Sequence, residues 1–315
     1  MTSTNNSRKT GSLICPAHTG IINHAVELQG TANWRQPDCY MANFLVQTTL
    51  PHSNPDDKPG AHFSRSNRLM RLTISPTSPR FGIPYGPIPR LILAWLCTEV
   101  KKTKSQVIDI GKNQTEWMKK IGLNSKDTGT IERFKDQAMR LFCCTISLER
   151  LDQIPRESSK RLLVTDSLDI LWDPIDPQKG SPWKNTITVS DGFYRAICRS
   201  SVPLKFSVYR KLTRSPLAMD IYLWTIYRTY TLNRSQRKHT EIPWEQLMNQ
   251  LGADYSGPTK RQLKDFKSNF KKQLRKVAAY YPELHDLVSD STDDKCIVIH
   301  AGVLIHPKPA ATGSG

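Results

Sequence analysis

The feature that most constrains this chain is that parts of it occur twice. Pro87-Ile-Pro-Arg-Leu-Ile-Leu-Ala-Trp95 is answered by Pro216-Leu-Ala-Met-Asp-Ile-Tyr-Leu-Trp224; in both, Trp follows Pro by eight residues, and Ile92 corresponds to Ile221 at an offset of 129. Trp117 with Ile121-Gly122 matches Trp244 with Leu251-Gly252, at offsets of 127 for the Trp and 130 for the Gly, and Gly129 matches Gly257 at 128. A nearly constant offset across three features argues for a duplicated unit of roughly 100–130 residues. The full length of 315 residues fits two such units, since a domain takes about 100–200 residues.

Each unit can be read locally. Pro87 and Pro216 open helices expected at 89–103 and 217–231, because proline suits a first helical turn. A short strand at 107–110 follows in the first unit, then a helix at 115–121 capped by Thr115 and ended by Gly122. The second unit's counterpart is 243–251, ended by Gly252. A turn with Gly129 or Gly257 leads to a further helix, 130–141 in the first unit and 259–281 in the second, where Pro282 stops it. Strands are expected at 145–148, within 161–172 and at 186–189. In the second unit 296–299 and 303–305 form a return pair, with 289–294 as a polar hairpin tip. This order is that of a winged helix, whose third helix enters the major groove. The expected fold class is therefore α+β, with two tandem winged-helix domains related by internal duplication, at 63–200 and 201–309. Residues 1–62, with the breaker cluster at 52–60, are expected to form a flexible N-terminal tail, and 310–315 a C-terminal tail.

Charge narrows the partner. The chain carries 45 basic and 28 acidic residues, a net charge of +17. Residues 1–62 are neutral, with four of each sign; 63–200 carry 23 basic against 14 acidic groups, and 201–315 carry 18 against 10. The excess sits in the folded halves and suits a polyanion. The longest apolar run, 91–97, is far too short to span a bilayer. The first 12 residues lack a signal-peptide core, so a cytoplasmic protein with no membrane partner is expected. Seven cysteines, an odd number with no two-residue spacing, read as reduced thiols filling small core positions rather than as a metal site.

The helix at 259–281 carries the sharpest functional signal. Leu263, Phe266, Phe270, Leu274, Val277 and Tyr281 are spaced by 3 or 4, which makes one apolar stripe about 80° wide at 100° per residue. Lys260, Arg261, Lys264, Lys267, Lys271, Lys272, Arg275 and Lys276 fall on the remaining surface with one acid, Asp265, among them. Such one-sided charge calls for an anionic partner, and double-stranded DNA fits it best. In the first unit, Arg133, Lys135 and Arg140 face outward beside Glu132 and Asp136, a net of only +1. Arg234, Arg237 and Lys238 form a basic turn suited to phosphate, which positions a protein without reading sequence. Trp95, Trp117, Trp224 and Trp244 occupy equivalent places in the repeat and read as core.

Catalytic readings lack their residues. There is no Gly-rich loop with Lys-Ser or Lys-Thr for a nucleotide. A nicking enzyme needs a metal-binding histidine pair and a nucleophilic tyrosine; His300 and His306 are six apart, and Tyr281 of the Tyr280-Tyr281 pair lies on the apolar stripe. Asp290, Asp293 and Asp294 read as a solvated hairpin tip. No catalytic residue, metal or cofactor is expected, and the protein is read as not an enzyme.

Phe81-Gly-Ile-Pro-Tyr-Gly-Pro-Ile-Pro-Arg-Leu-Ile-Leu-Ala-Trp-Leu-Cys-Thr-Glu99 resembles the RepA family of plasmid-encoded replication initiators. The likeness continues through Trp117-Met-Lys-Lys-Ile-Gly122 and Arg133-Phe-Lys-Asp-Gln-Ala-Met-Arg-Leu-Phe142, and resumes at Pro216-Leu-Ala-Met-Asp-Ile-Tyr-Leu-Trp224. The resemblance implies binding to tandem origin repeats (iterons), opening of adjacent AT-rich DNA, and recruitment of the host replication initiator and replicative helicase. It also implies a homodimer in equilibrium with a monomer, the dimer repressing its own promoter. A plain transcriptional repressor and a nicking-closing initiator are the competing expectations.

Overall fold

The computed structural model describes residues 19–55, 61–151, 158–169, 185–255 and 259–305. The chain opens with α1 (Thr19–Gln29), β1 (Cys39–Ala42), α2 (Asn43–Gln47), β2 (Phe63–Ser66) and β3 (Met70–Pro76). The first half then runs α3 (Pro87–Thr103), β4 (Val107–Gly111), α4 (Gln114–Lys120), α5 (Thr128–Phe142), β5 (Cys144–Arg150), β6 (Ser158–Leu163), β7 (Thr165–Asp169) and β8 (Asn185–Val189). After α6 (Asp191–Arg199), β9 (Ser201–Leu204) and α7 (Phe206–Lys211), the second half comprises α8 (Pro216–Arg234), β10 (His239–Pro243), α9 (Trp244–Leu251), α10 (Lys260–Ala278), α11 (Leu284–Leu287), β11 (Val288–Asp290) and β12 (Cys296–His300). The architecture is α+β.

Both halves place a helix, a strand and two further helices in the same order before a hairpin. Their small sheets also agree: β4-β8-β7 in the first and β10-β12-β11 in the second, all antiparallel, with the early strand beside the last one. The first half differs by an insertion. β5 and β6 leave the unit and join β2 and β3 in a four-stranded sheet of order β2-β3-β5-β6. Leu72 and Ile74 of β3 lie opposite Leu148 and Ile146 of β5, and Leu72, Ile74 and Ile146 are fully buried. Alternation of this kind fixes the register, because a one-residue slip would turn these side chains to water.

The leading helix of each half is buried on nearly all sides, as expected for a helix that is apolar all round. Proline stands at the first helical turn of both, so α3 and α8 begin two and one residues earlier than the periodicity suggested. In the first half Trp117 of α4 packs edge-on against Phe134 of α5, with ring centroids 4.8 Å apart, and lies 5.9 Å from Trp95. In the second half Trp244 of α9 and Trp224 of α8 both meet Phe270 of α10, at 5.5 and 5.8 Å. All four tryptophans are core residues.

Several local expectations are corrected. Asn113, not Thr115, caps α4 by accepting from the Glu116 N–H. Gly129 lies inside α5, whose cap is Asp127; aspartate competes well for that place because its carboxylate takes the free N–H groups of the first turn. The hairpin partner of β12 is β11, which precedes it, and 303–305 form no strand; Leu304 and Ile305 pack into the core instead.

The larger correction concerns the N-terminal tail. Residues 39–52 are built into the molecule: β1 pairs with β9, and Cys39, Met41, Ala42, Phe44, Val46 and Leu50 are buried. α1 docks on the end of α10, where His24 Nδ1 lies 3.0 Å from the Tyr280 hydroxyl. The many breakers describe short elements rather than missing ones. The expected C-terminal tail at 310–315 and residues 1–18 lie outside the described residues.

Residues 49–52 also help to join the halves. Arg90 of α3 and Asp220 of α8 form a buried two-point ion pair, Nε to Oδ1 and Nη2 to Oδ2, both at 2.9 Å. The other Arg90 donors take the carbonyls of Pro51, Gly86 and Leu50 at 3.1, 2.7 and 2.8 Å, and the Thr49 hydroxyl at 3.0 Å. The Thr49 hydroxyl donates to Asp220, and His52 Nε2 stands 2.7 Å from the same carboxylate. A charge pair removed from water survives only when its remaining hydrogen-bonding groups are also satisfied, and here they are.

Candidate nucleic-acid interface

The apolar stripe of α10 is its buried face: Phe266, Phe270 and Val277 are fully buried, Tyr281 beyond the helix end is buried too, and Leu263 and Leu274 flank them. The helix is entered through Thr259, whose hydroxyl accepts from the Gln262 N–H. On the opposite side Arg261, Lys264, Ser268, Lys272 and Arg275 are all exposed. Their spacing of 3, 4, 4 and 3 gives an outward row along the helix, parallel to the core stripe. Lys260 is exposed at the helix start. Half-buried Lys276 closes the row at the other end, where burial, with Lys272 and Arg214 close by, pulls its ammonium below the ordinary value. Crowded cations of this kind are stabilised by a polyanion. Arg214 belongs to this cluster although no periodic pattern marks it, because it stands in the loop before α8 rather than on a patterned helix.

Two of the expected DNA contacts are engaged elsewhere. Lys267 Nζ donates to the Asp294 carbonyl at 2.6 Å and to its carboxylate at 3.0 Å. Lys271 Nζ lies 2.8 Å from Asp290 Oδ2 and 3.7 Å from Asp294 Oδ1. Both ammonium groups sit over the Trp244 ring, at 5.6 and 5.5 Å from its centroid. The hydrogen bond from Lys267 holds the Asp294 carboxyl below the usual carboxylate range. The acidic hairpin tip is therefore tied to the flank of α10 by its own lysines.

The remaining candidates separate. On α5, Arg133 is exposed and reaches back to the Gly129 carbonyl at 2.9 Å, and Lys135 is half-buried. Arg140 is held by Asp136 at 2.9 and 3.0 Å and lies over the Tyr85 ring at 5.4 Å, so it fastens the segment before α3. Arg234, Arg237 and Lys238 are exposed in the α8–β10 turn. That turn lies at the end of the sheet opposite the hairpin tip, since His239 pairs with His300 and Pro243 with Cys296. The structure does not bring it to the α10 row.

The tyrosines considered for strand nicking are inside. Tyr281 stacks on Tyr222, with hydroxyl oxygens 3.2 Å apart, and Tyr280 is fully buried. Burial pushes both phenols above their ordinary value. Among the described residues no group of three His, Cys, Asp or Glu side chains is placed to hold a metal. Six described cysteines are free thiols; Cys39, Cys97 and Cys144 are buried, and burial pushes each up to about 12. Among the described residues no helix is long and apolar enough to cross a membrane.

Over most of its length the chain is similar in fold to a solved structure described as domain 2 and domain 3 of RctB, a selenomethionine derivative. The TM-score is 0.50 at 12% identity, covering 84% of this chain and 98% of that one. A second structure of RctB domains 2–3 aligns at a TM-score of 0.39 and 13% identity over 82% of this chain and 96% of that one. No curated protein matches the sequence. The family model described as "Plasmid encoded RepA protein" matches residues 83–246, from the segment before α3 into α9. A match over more than half of the sequence, containing both Pro-to-Trp helices, places this chain in the plasmid-encoded RepA protein family.

Proposed function

We propose that this protein is a sequence-specific, double-stranded-DNA-binding initiator of plasmid replication, with α10 as its main recognition helix. The observation that carries the reading is the exposed row Arg261, Lys264, Ser268, Lys272 and Arg275 on the face opposite the buried Phe266, Phe270 and Val277. A helix with one face in the core and one row of cations outside is built to lie against DNA, where phosphates supply most of the affinity and base edges the specificity. We read each half as a winged-helix unit. The matching element order and the matching strand order β4-β8-β7 and β10-β12-β11 support that reading.

On this proposal the DNA target is the set of iterons at a plasmid origin. The protein opens neighbouring DNA by assembly, and it hands the origin to the host initiator and replicative helicase. A monomer–homodimer equilibrium regulates it. The mechanism is non-covalent; the buried hydroxyls of Tyr280 and Tyr281 support this over nicking.

The test is the double charge reversal Lys264→Glu/Arg275→Glu, two exposed positions of the row. Fluorescence anisotropy with an origin duplex should show loss of specific binding, with an unchanged melting temperature. Wild-type affinity in a folded double variant removes α10 as the recognition helix.

A further inference from the structure

A groove of about 750 Å³ opens where α3, α6 and α8 end, beside β9. Leu304 and Ile305, just beyond β12, form part of its wall, whereas the hairpin tip precedes β12. The groove and the tip are thus separated by the length of that strand, about 17 Å at 3.4 Å per residue. It is a surface separate from the α10 row.

Three cations converge on it: Lys101 in the last turn of α3, Arg199 in that of α6 and Arg234 in that of α8. A cation at a helix C-terminus is ordinary, because it complements the partial negative charge there. Helix ends do not, however, require three such cations to share one groove without a carboxylate. No Asp or Glu is among its described lining residues, and none of the three cations is in an ion pair among the described residues. Lys101 lies instead over the Tyr40 ring at 4.7 Å, where burial, with Lys104 nearby, pulls its ammonium below the ordinary value. The floor is apolar, with Val202, Ile226, Leu304 and Ile305 buried, and Tyr230 stands on the rim 43% exposed.

We propose that this groove docks an acidic peptide segment of a partner protein, its carboxylates on Lys101, Arg199 and Arg234 and its apolar side chains on the aliphatic floor. Charge complementarity selects that occupant. An apolar centre inside a polar rim is the usual anatomy of a peptide-docking surface. The chain's own residues 306–315 contain a lysine and no acid, so they lack the complementary charge. A single nucleic-acid strand is held by a row of exposed rings; here Tyr40 and Tyr227 are half-buried and only Tyr230 is exposed.

The test uses the full chain and a labelled peptide of alternating Glu and Leu, its Lys-for-Glu counterpart, and an oligo(dT) of matching length, all followed by anisotropy. The acidic peptide is expected to bind saturably and the basic one not. Its affinity should fall at least about tenfold in Lys101→Gln/Arg199→Glu/Arg234→Glu and stay at the wild-type value in Lys264→Glu/Arg275→Glu. Tyr230→Glu, a single change at an exposed position, should shift affinity in the same direction and serves if the triple variant does not fold. Absence of saturable peptide binding overturns the proposal. So does a loss confined to the α10 variant, which would mean general attraction to a basic protein. Oligo(dT) binding that depends on the groove cations, without peptide binding that does, overturns it in favour of a single-strand path.

Discussion

At the scale of single residues, Arg90 and Asp220 are buried and joined by two hydrogen bonds. Burial by itself would raise the Asp220 carboxyl, but the Arg90 guanidinium and the hydrogen bonds from His52 and Arg90 outweigh it and hold the carboxyl well below its ordinary range. A depressed carboxyl contributes stability above its unfolded value of about 3.9, and the contribution is lost as pH falls below that value. Asp220→Asn should therefore lower stability at neutral pH by about 3–5 kcal/mol, because it leaves a buried guanidinium without its counter-charge. Its melting temperature should also vary less with pH than the wild type's below about pH 4. Thermal melts across pH measure both effects; parallel curves for the two proteins would mean that the pair is not ionised together in the fold. Phe270→Ala probes a different residue-scale quantity. Phe270 joins Trp224 and Trp244, and its truncation should cost roughly 3–5 kcal/mol in chemical denaturation, as loss of a buried aromatic does.

At the scale of elements, α10 and the β11–β12 hairpin act as one unit. The tip carboxylates neutralise Lys267 and Lys271, so on the proposed function the hairpin restrains how much charge the helix offers to DNA. Asp290→Asn/Asp294→Asn should release Lys271 and take the carboxylate from Lys267, leaving the latter only its bond to the Asp294 carbonyl. Duplex affinity at low salt should rise, and the slope of log Kd against log salt should steepen by about 0.9 for each lysine that gains a phosphate. An unchanged slope would assign these lysines wholly to holding the hairpin. This pairing was not legible in the sequence, and the reason is physical. The apolar stripe of α10 is a local pattern fixed by helical periodicity, and Leu263, Phe266, Phe270, Leu274 and Val277 are readable from it, whereas buried Gln273 is polar and is not. The partner of Lys267 lies 27 residues away, and nothing in the spacing announces a contact that the turn of a hairpin creates. The same limit explains Arg214, which joins the basic cluster from a loop, and β5, whose alternation is visible but whose membership of another sheet is not.

At the scale of the whole molecule, the repeat of proline and tryptophan correctly located two helices at the heads of two similarly ordered halves, because large buried rings and helix-starting prolines are placed by packing that both halves share. The N-terminal segment was misread, because the density of breakers reports local propensity while Phe44, Val46 and Leu50 are buried by partners far along the chain. Removing residues 1–60 takes away β1, α2, the carbonyls of Leu50 and Pro51 that receive Arg90, and His52. The truncated chain should lose its cooperative thermal transition, where a dispensable tail would leave it intact. DNA geometry sets the last expectation. Two winged-helix units in one chain would each offer a helix to a major groove, and successive major-groove segments on one face of DNA are about 34–36 Å apart. A monomer using both should protect roughly 20 base pairs, with contacts in two adjacent major grooves. The halves are unequal, however: α10 presents four exposed cations in one row, while α5 offers exposed Arg133 and half-buried Lys135, with Arg140 held by Asp136. The α5 half of the site should therefore show phosphate contacts and weak base preference, and the α10 half strong base preference. Ethylation and methylation interference on one iteron separate these two kinds of contact. Interference confined to a single groove would leave α10 as the reader and remove the first half from DNA.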